Sequence, residues 1–139
     1  MTPAPTSLVT NVLLVAAGGA VGSVARYAIN GLALRVAGKD LTAGTRFPLG
    51  TLTANLLGCL IIGILLFFIM DRNQPSAWVR LLVITGFLGG LTTFSSFGYE
   101  TILLMQNGEV GRALLNIGAN VVLGLAAVWL GFSGTRAIV

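Results

Sequence analysis

The chain has 139 residues, 55% of them hydrophobic and 9% charged, with eight Lys/Arg against four Asp/Glu and a formal charge of +4. A soluble domain carries about a quarter charged residues, so this composition, with mean hydropathy +0.94, is that of an integral membrane protein. With no histidine and Cys59 as the single cysteine, an internal disulfide and a His/Cys metal cluster within one chain are excluded, and the scattered cations exclude a nucleic-acid surface.

Four apolar segments reach the roughly 20 residues needed to cross a bilayer: about 8–34, 49–70, 79–104 and 113–132. The predicted fold is therefore all-α, one transmembrane domain over 1–139 with short charged loops and no room for a soluble domain. The N-terminal MTPAPTSLVTN contains no Lys or Arg, so it lacks the charged start of a secretory signal. Leu8 onward reads as a retained first span.

Within the first span, GGAVGSVARYAIN places Gly18 and Gly22 four residues apart on one face, suited to close helix contact, with Arg26 one turn further on. An Arg inside a span costs about 2.5–3.5 kcal/mol on insertion scales. Snorkelling toward the following loop and attraction of an anion into a vestibule both account for it. The second span, PLGTLTANLLGCLIIGILLFF, gathers Thr51, Asn55, Gly58, Cys59 and Gly63 on a small or polar face. The Asn55 amide brings two donors without a fixed charge. Those donors serve an anion or, more plainly, an interhelical hydrogen bond. Cys59 reads as the filling of a small packing site.

The third span contains GFLGGLTTFSSFGYE, residues 86–100. Gly86, Gly89 and Gly90 weaken the helix and Thr92, Thr93, Ser95 and Ser96 follow, which predicts a helix broken near its centre, its released backbone groups met by hydroxyls. Close packing through the small-xxx-small pair Gly86/Gly90 explains two of the glycines but not the hydroxyl run. Phe94 and Phe97 are neighbours on one helical face. Their rings either pack against lipid or present positive edges to a small anion. Glu100 closes the segment near an interface.

The fourth span aligns Asn116, Asn120, Gly124, Ala127 and Gly131 in a stripe predicted to face protein. Its asparagines either line a polar path or bridge helices. Trp78, Tyr99, Trp129 and Phe132 are candidates for interfacial anchors or for packing. With Arg26 set aside, Arg72, Arg80 and Arg136 fall on one side and Arg35, Lys39, Arg46 and Arg112 on the other. So small a bias barely fixes orientation under the positive-inside rule. Insertion both ways would permit an antiparallel homodimer, and a weakly determined single orientation is the simpler outcome.

Taken together, GGAVGSVARY, GTLTANLLG, GFLGGLTTFSSF and VVLGLAAVWLG, in this order and over essentially the whole chain, resemble the Fluc/CrcB family of small microbial fluoride channels. The resemblance implies an antiparallel, dual-topology homodimer in the plasma membrane (the inner membrane of a Gram-negative cell) that exports fluoride passively and protects against its toxicity. By motif, Phe94 and Phe97 match the pathway phenylalanines, Asn55 the pore asparagine and Arg26 the vestibule arginine, with Thr93 and Ser95 beside them in the ion path. Gly89 and Thr92 match the central break, where the family holds a structural sodium ion through backbone carbonyls. The chain departs from the family in TFSSFG, where TFSTFS is expected, and in Asn116 and Asn120, where Tyr and Ser are expected. The resemblance carries no role to Gly98, Asn116 or Asn120.

Two other functions compete. Small proton-coupled drug exporters are also four-span, dual-topology dimers, but they carry a membrane-embedded glutamate in the first span, where this chain has Arg26. A scaffold protein would use the glycine faces and leave Arg26, Asn55 and the hydroxyls idle. Enzyme chemistry lacks a histidine, paired carboxylates and an activated nucleophile.

Overall fold

The computed structural model describes residues 7–36, 47–71 and 76–139, and the regular structure among them is entirely helical. Helix α1 spans Leu8–Val36 and α2 spans Leu49–Asp71. Helix α3 covers residues 79–91, the first ten wound with wide π-type hydrogen bonding, and α4 is Phe94–Gln106. Helix α5, Val110–Ile138, is continuous but widens to π-type winding at Ala119–Leu123. Four helical stretches, Leu8–Arg35, Leu49–Met70, Val79–Gln106 and Val110–Ile138, are long and apolar enough to cross a membrane. Of the loop cations that enter the topology argument, Lys39, Arg46 and Arg72 lie outside the described residues.

Local chemistry sets the helix ends. The Ser7 hydroxyl accepts from the Thr10 N–H at 3.2 Å and caps α1. Pro48 precedes α2 at a position where its missing N–H costs nothing. At the end of α4, Gly108 adopts φ +78°. The Gly108 and Glu109 N–H groups return to the carbonyls of Met105 and Leu104 at 3.1 and 2.9 Å. This glycine-terminated motif satisfies the last carbonyls of α4 and turns the chain straight into α5, so the two helices lie as neighbours.

The helices pack as two principal pairs, α1 against α3 and α2 against the second half of α5, joined by α1–α2 and α4–α5 contacts. Glycines make both pairings close. A Cβ on Gly18 or Gly22 would run into the carbonyl oxygens of Leu82 and Phe87, and Gly86 comes within contact of the Gly18 Cα from the other side. Gly63 and Gly131 play the same part between α2 and α5. Gly86 and Gly90 therefore serve packing against α1, whereas Gly89 faces open space.

A small apolar core of Ala54, Leu88 and Leu91, with Ile61, Ile62 and Phe87 packed on it, joins α2 to α3. Much of the remaining apolar surface faces outward, as expected where the solvent is hydrocarbon or a second subunit. Trp78, Tyr99 and Trp129 are exposed, in keeping with interfacial anchoring. Phe132 instead packs on Phe67, ring centroids 6.1 Å apart. Cys59 sits against Gly124.

Candidate functional site

Between α3 and α4 the backbone leaves helical geometry for two residues, Thr92 at φ −84°, ψ 153° and Thr93 at φ −152°, ψ 120°. Such backbone needs partners that regular winding no longer supplies. The Thr92 hydroxyl donates to the Leu88 carbonyl at 2.9 Å. The Thr93 hydroxyl caps α4 by accepting from the Ser96 N–H at 3.2 Å. The Thr93 N–H donates across the fold to Asn55 Oδ1 at 2.9 Å. A hydroxyl and one amide thus meet the Thr93 and Ser96 N–H groups released at this junction.

The predicted polar face of α2 supports the junction along its length. Thr51 donates to Glu100 Oε1 at 2.7 Å, Asn55 binds Thr93, and Gly58 leaves room for the Thr92 methyl. Asn55 Nδ2 also donates to Asn120 Oδ1 of α5 at 2.9 Å. The interhelical role open to Asn55 from its sequence context is therefore realised.

A groove of about 510 Å³ lies beside this junction. Asn55, Thr93 and Asn120 give it a polar floor, and the phenyl groups of Phe94 and Phe97 line it, their centroids 5.4 Å apart and their planes inclined at 51°. Phe94 is 83% exposed, so its ring stands on the open side. Gly89 and Thr92 line the same groove. Ser95 is exposed and joins the group only through the Thr93 hydroxyl, 3.1 Å away. Arg26 is half-buried on α1 and is not among the lining residues. Of the predicted site residues, the fold thus brings together Asn55, Thr93, Phe94, Phe97, Gly89 and Thr92, places Ser95 at the edge and leaves Arg26 apart.

Of Asn116 and Asn120, to which the resemblance carried no role and which the sequence left between a polar path and a helix bridge, Asn120 lines the groove and Asn116 supports it from behind. Asn116 is 1% exposed and donates to Thr101 Oγ1 at 2.9 Å, and Asn120 reaches both the carbonyl and the Oδ1 of Asn116 at 3.0 Å. Their i, i+4 spacing within an apolar span was the available signal; nothing in the sequence paired them with Asn55. The group offers neutral donors, hydroxyls and ring edges, with no fixed cation in the groove lining among the described residues. Such groups attract a small anion without holding it tightly.

Residues 13–132 match the family described as CrcB-like protein, Camphor Resistance (CrcB). The chain is 46% identical over 121 residues, 87% of its length and 91% of the relative's, to a protein of Methylobacillus flagellatus named fluoride-specific ion channel FluC. It is 45% identical over 127 residues, 91% of its length and 97% of the relative's, to a protein of the same name from Rhizobium etli. A third relative of that name, from Solibacter usitatus, is 43% identical over 121 residues, 86% of this chain and 93% of the relative.

Proposed function

This chain belongs to the CrcB family, and from that premise we propose that it is a multi-pass membrane channel carrying fluoride passively out of the cell. The supporting observation is the groove in which the Asn55 amide, the Thr93 junction and the edges of Phe94 and Phe97 converge. A permeating ion must exchange its hydration shell for ligands that bind it and then release it. An amide N–H replaces water as a donor, and phenyl edges carry partial positive charge without the grip of a cation. Fluoride, small and strongly basic for a halide, gains most from such donors.

The working unit we propose is an antiparallel homodimer, with lipid around it and a fluoride path along each groove. It is supported by the near balance of loop cations and by the exposed Phe94, which a second copy would cover. In this arrangement residues 92–93 divide the third span into two functional halves, and Arg26 serves the approach to the pathway rather than the groove.

The sodium ion implied by the family fits Gly89 and Thr92 on backbone chemistry. The N–H that regular winding would offer the Gly89 carbonyl, from Thr93, goes to Asn55 Oδ1; the one it would offer Thr92, from Ser96, goes to the Thr93 hydroxyl. Carbonyls released in this way are the hard oxygen ligands that such cations take. When bound, the ion would tie the junctions of two copies together as a structural charge. Replacing Na⁺ with N-methylglucamine should lower the thermal stability of the purified dimer; a melting curve indifferent to the cation would refute this site.

Liposomes containing the purified protein test the function directly. Under an imposed potential, fluoride should leave rapidly and chloride negligibly, with no dependence on a proton gradient. Well-assembled protein that released no fluoride would refute the channel function.

A further inference from the structure

We infer that Asn120 is a positioning residue for the pathway, orienting the Asn55 amide through a one-way hydrogen-bond chain anchored by buried Asn116. The inference rests on the place given to Asn55 in the fluoride path. The chain begins at the Thr93 N–H, which can only donate and so fixes Oδ1 of Asn55 toward itself at 2.9 Å. The opposite end of that amide, Nδ2, then donates to Asn120 Oδ1 at 2.9 Å. Asn120 is oriented independently. Its Nδ2 meets the Asn116 backbone carbonyl at 3.0 Å, a group that can only accept, and also Asn116 Oδ1 at 3.0 Å. Asn116 Nδ2 donates to Thr101 Oγ1 at 2.9 Å, whose own proton goes to the Phe97 carbonyl at 2.7 Å.

Backbone groups that cannot reverse polarity therefore fix both termini, and every intermediate donor points the same way. The chain starts at Thr93 and ends at Phe97, so it closes around the segment bearing both phenyl groups. Its deepest members, Asn116 and Thr101, are 1% and 5% exposed. Burial makes an unmade bond there expensive, which keeps the chain closed and polarised. At the groove end of the chain one donor is loosely committed: the second N–H of Asn55, whose contact with the Thr93 carbonyl is 3.4 Å long. The chain thus leaves that N–H available beside the groove for an anion and prevents the amide from turning its oxygen there instead.

A double-mutant cycle in liposomes tests this. Asn120→Leu should slow fluoride efflux by roughly tenfold, the scale of one lost hydrogen bond. The double variant Asn55→Ala/Asn120→Leu should be no slower than Asn55→Ala alone. Unchanged efflux in Asn120→Leu, or full additivity in the pair, would overturn the positioning role, additivity marking Asn120 as a direct ion ligand. A second readout needs no flux. In ¹⁵N-asparagine-labelled dimer the Asn55 side-chain amide signals, identified by their loss in Asn55→Ala, should move in Asn120→Leu, and an unmoved pair would sink the inference. If the wild-type protein carried no fluoride, the channel function would fail and these spectra alone would decide. Asn120→Ala, which removes the amide with less bulk, replaces the leucine variant where that one does not assemble, with the same expectations.

Discussion

Asn55 illustrates how one side chain can serve structure and permeation together. Its oxygen satisfies backbone at the Thr92–Thr93 junction, one N–H crosses to α5, and the other makes only a long contact. Phe94 and Phe97 are simpler, since they make a tilted ring pair beside the groove and Phe94 is open on the surface of the single chain. Replacing both with isoleucine keeps the bulk and removes the polarised ring edges. Fluoride efflux should then fall by about tenfold or more, equivalent to ~1.4 kcal/mol of barrier, while gel filtration still reports an assembled dimer. Normal efflux from the double variant would show that the rings only pack.

At the scale of elements, glycines in one short run do different work. Gly18, Gly22, Gly86 and Gly90 let α1 and α3 touch backbone to backbone, gaining dispersion contacts that lipid cannot outcompete. Gly89 lies between Gly86 and Gly90 in the sequence but has nothing of its own chain within 4 Å of an added Cβ. Gly22→Ala should therefore destabilise the fold, by about 1–3 kcal/mol as overpacked sites do, seen as a lower midpoint of thermal unfolding in detergent. Gly89→Ala should leave the unfolding of a single chain unchanged and weaken association of two. The reverse pattern would mean that the α1–α3 contact is not what these glycines protect.

For the whole molecule, large apolar side chains on α1, α2, α4 and α5 and a groove open on one side point outward from the single chain. The proposed dual topology has a direct test. In a Cys59→Ala background, Val139→Cys gives a single thiol at the C-terminal end of α5. A membrane-impermeant thiol reagent should label about half of these from either face of the membrane, as near-balanced positive charge predicts. Labelling from one face alone would rule out the antiparallel dimer.

The sequence by itself determined the class of the protein. Twenty-residue apolar segments, few charges and short loops leave a membrane-spanning all-helical fold as the way to satisfy the backbone in lipid. The ordered motifs identified the family, and the three-to-four spacing of Thr51, Asn55 and Gly58 marked the α2 face that supports the site. Spacing along one helix says which residues share a face, but not which face of which other helix they meet. Only the tertiary structure decided that Gly86 and Gly90 pack while Gly89 does not, and that Arg26 stands away from the groove. It alone joined Asn55 to Asn120, 65 residues apart in the chain. The physical reason is that a hydrogen bond is set by distance and direction in space, and side chains so far apart in sequence acquire both only when the helices dock.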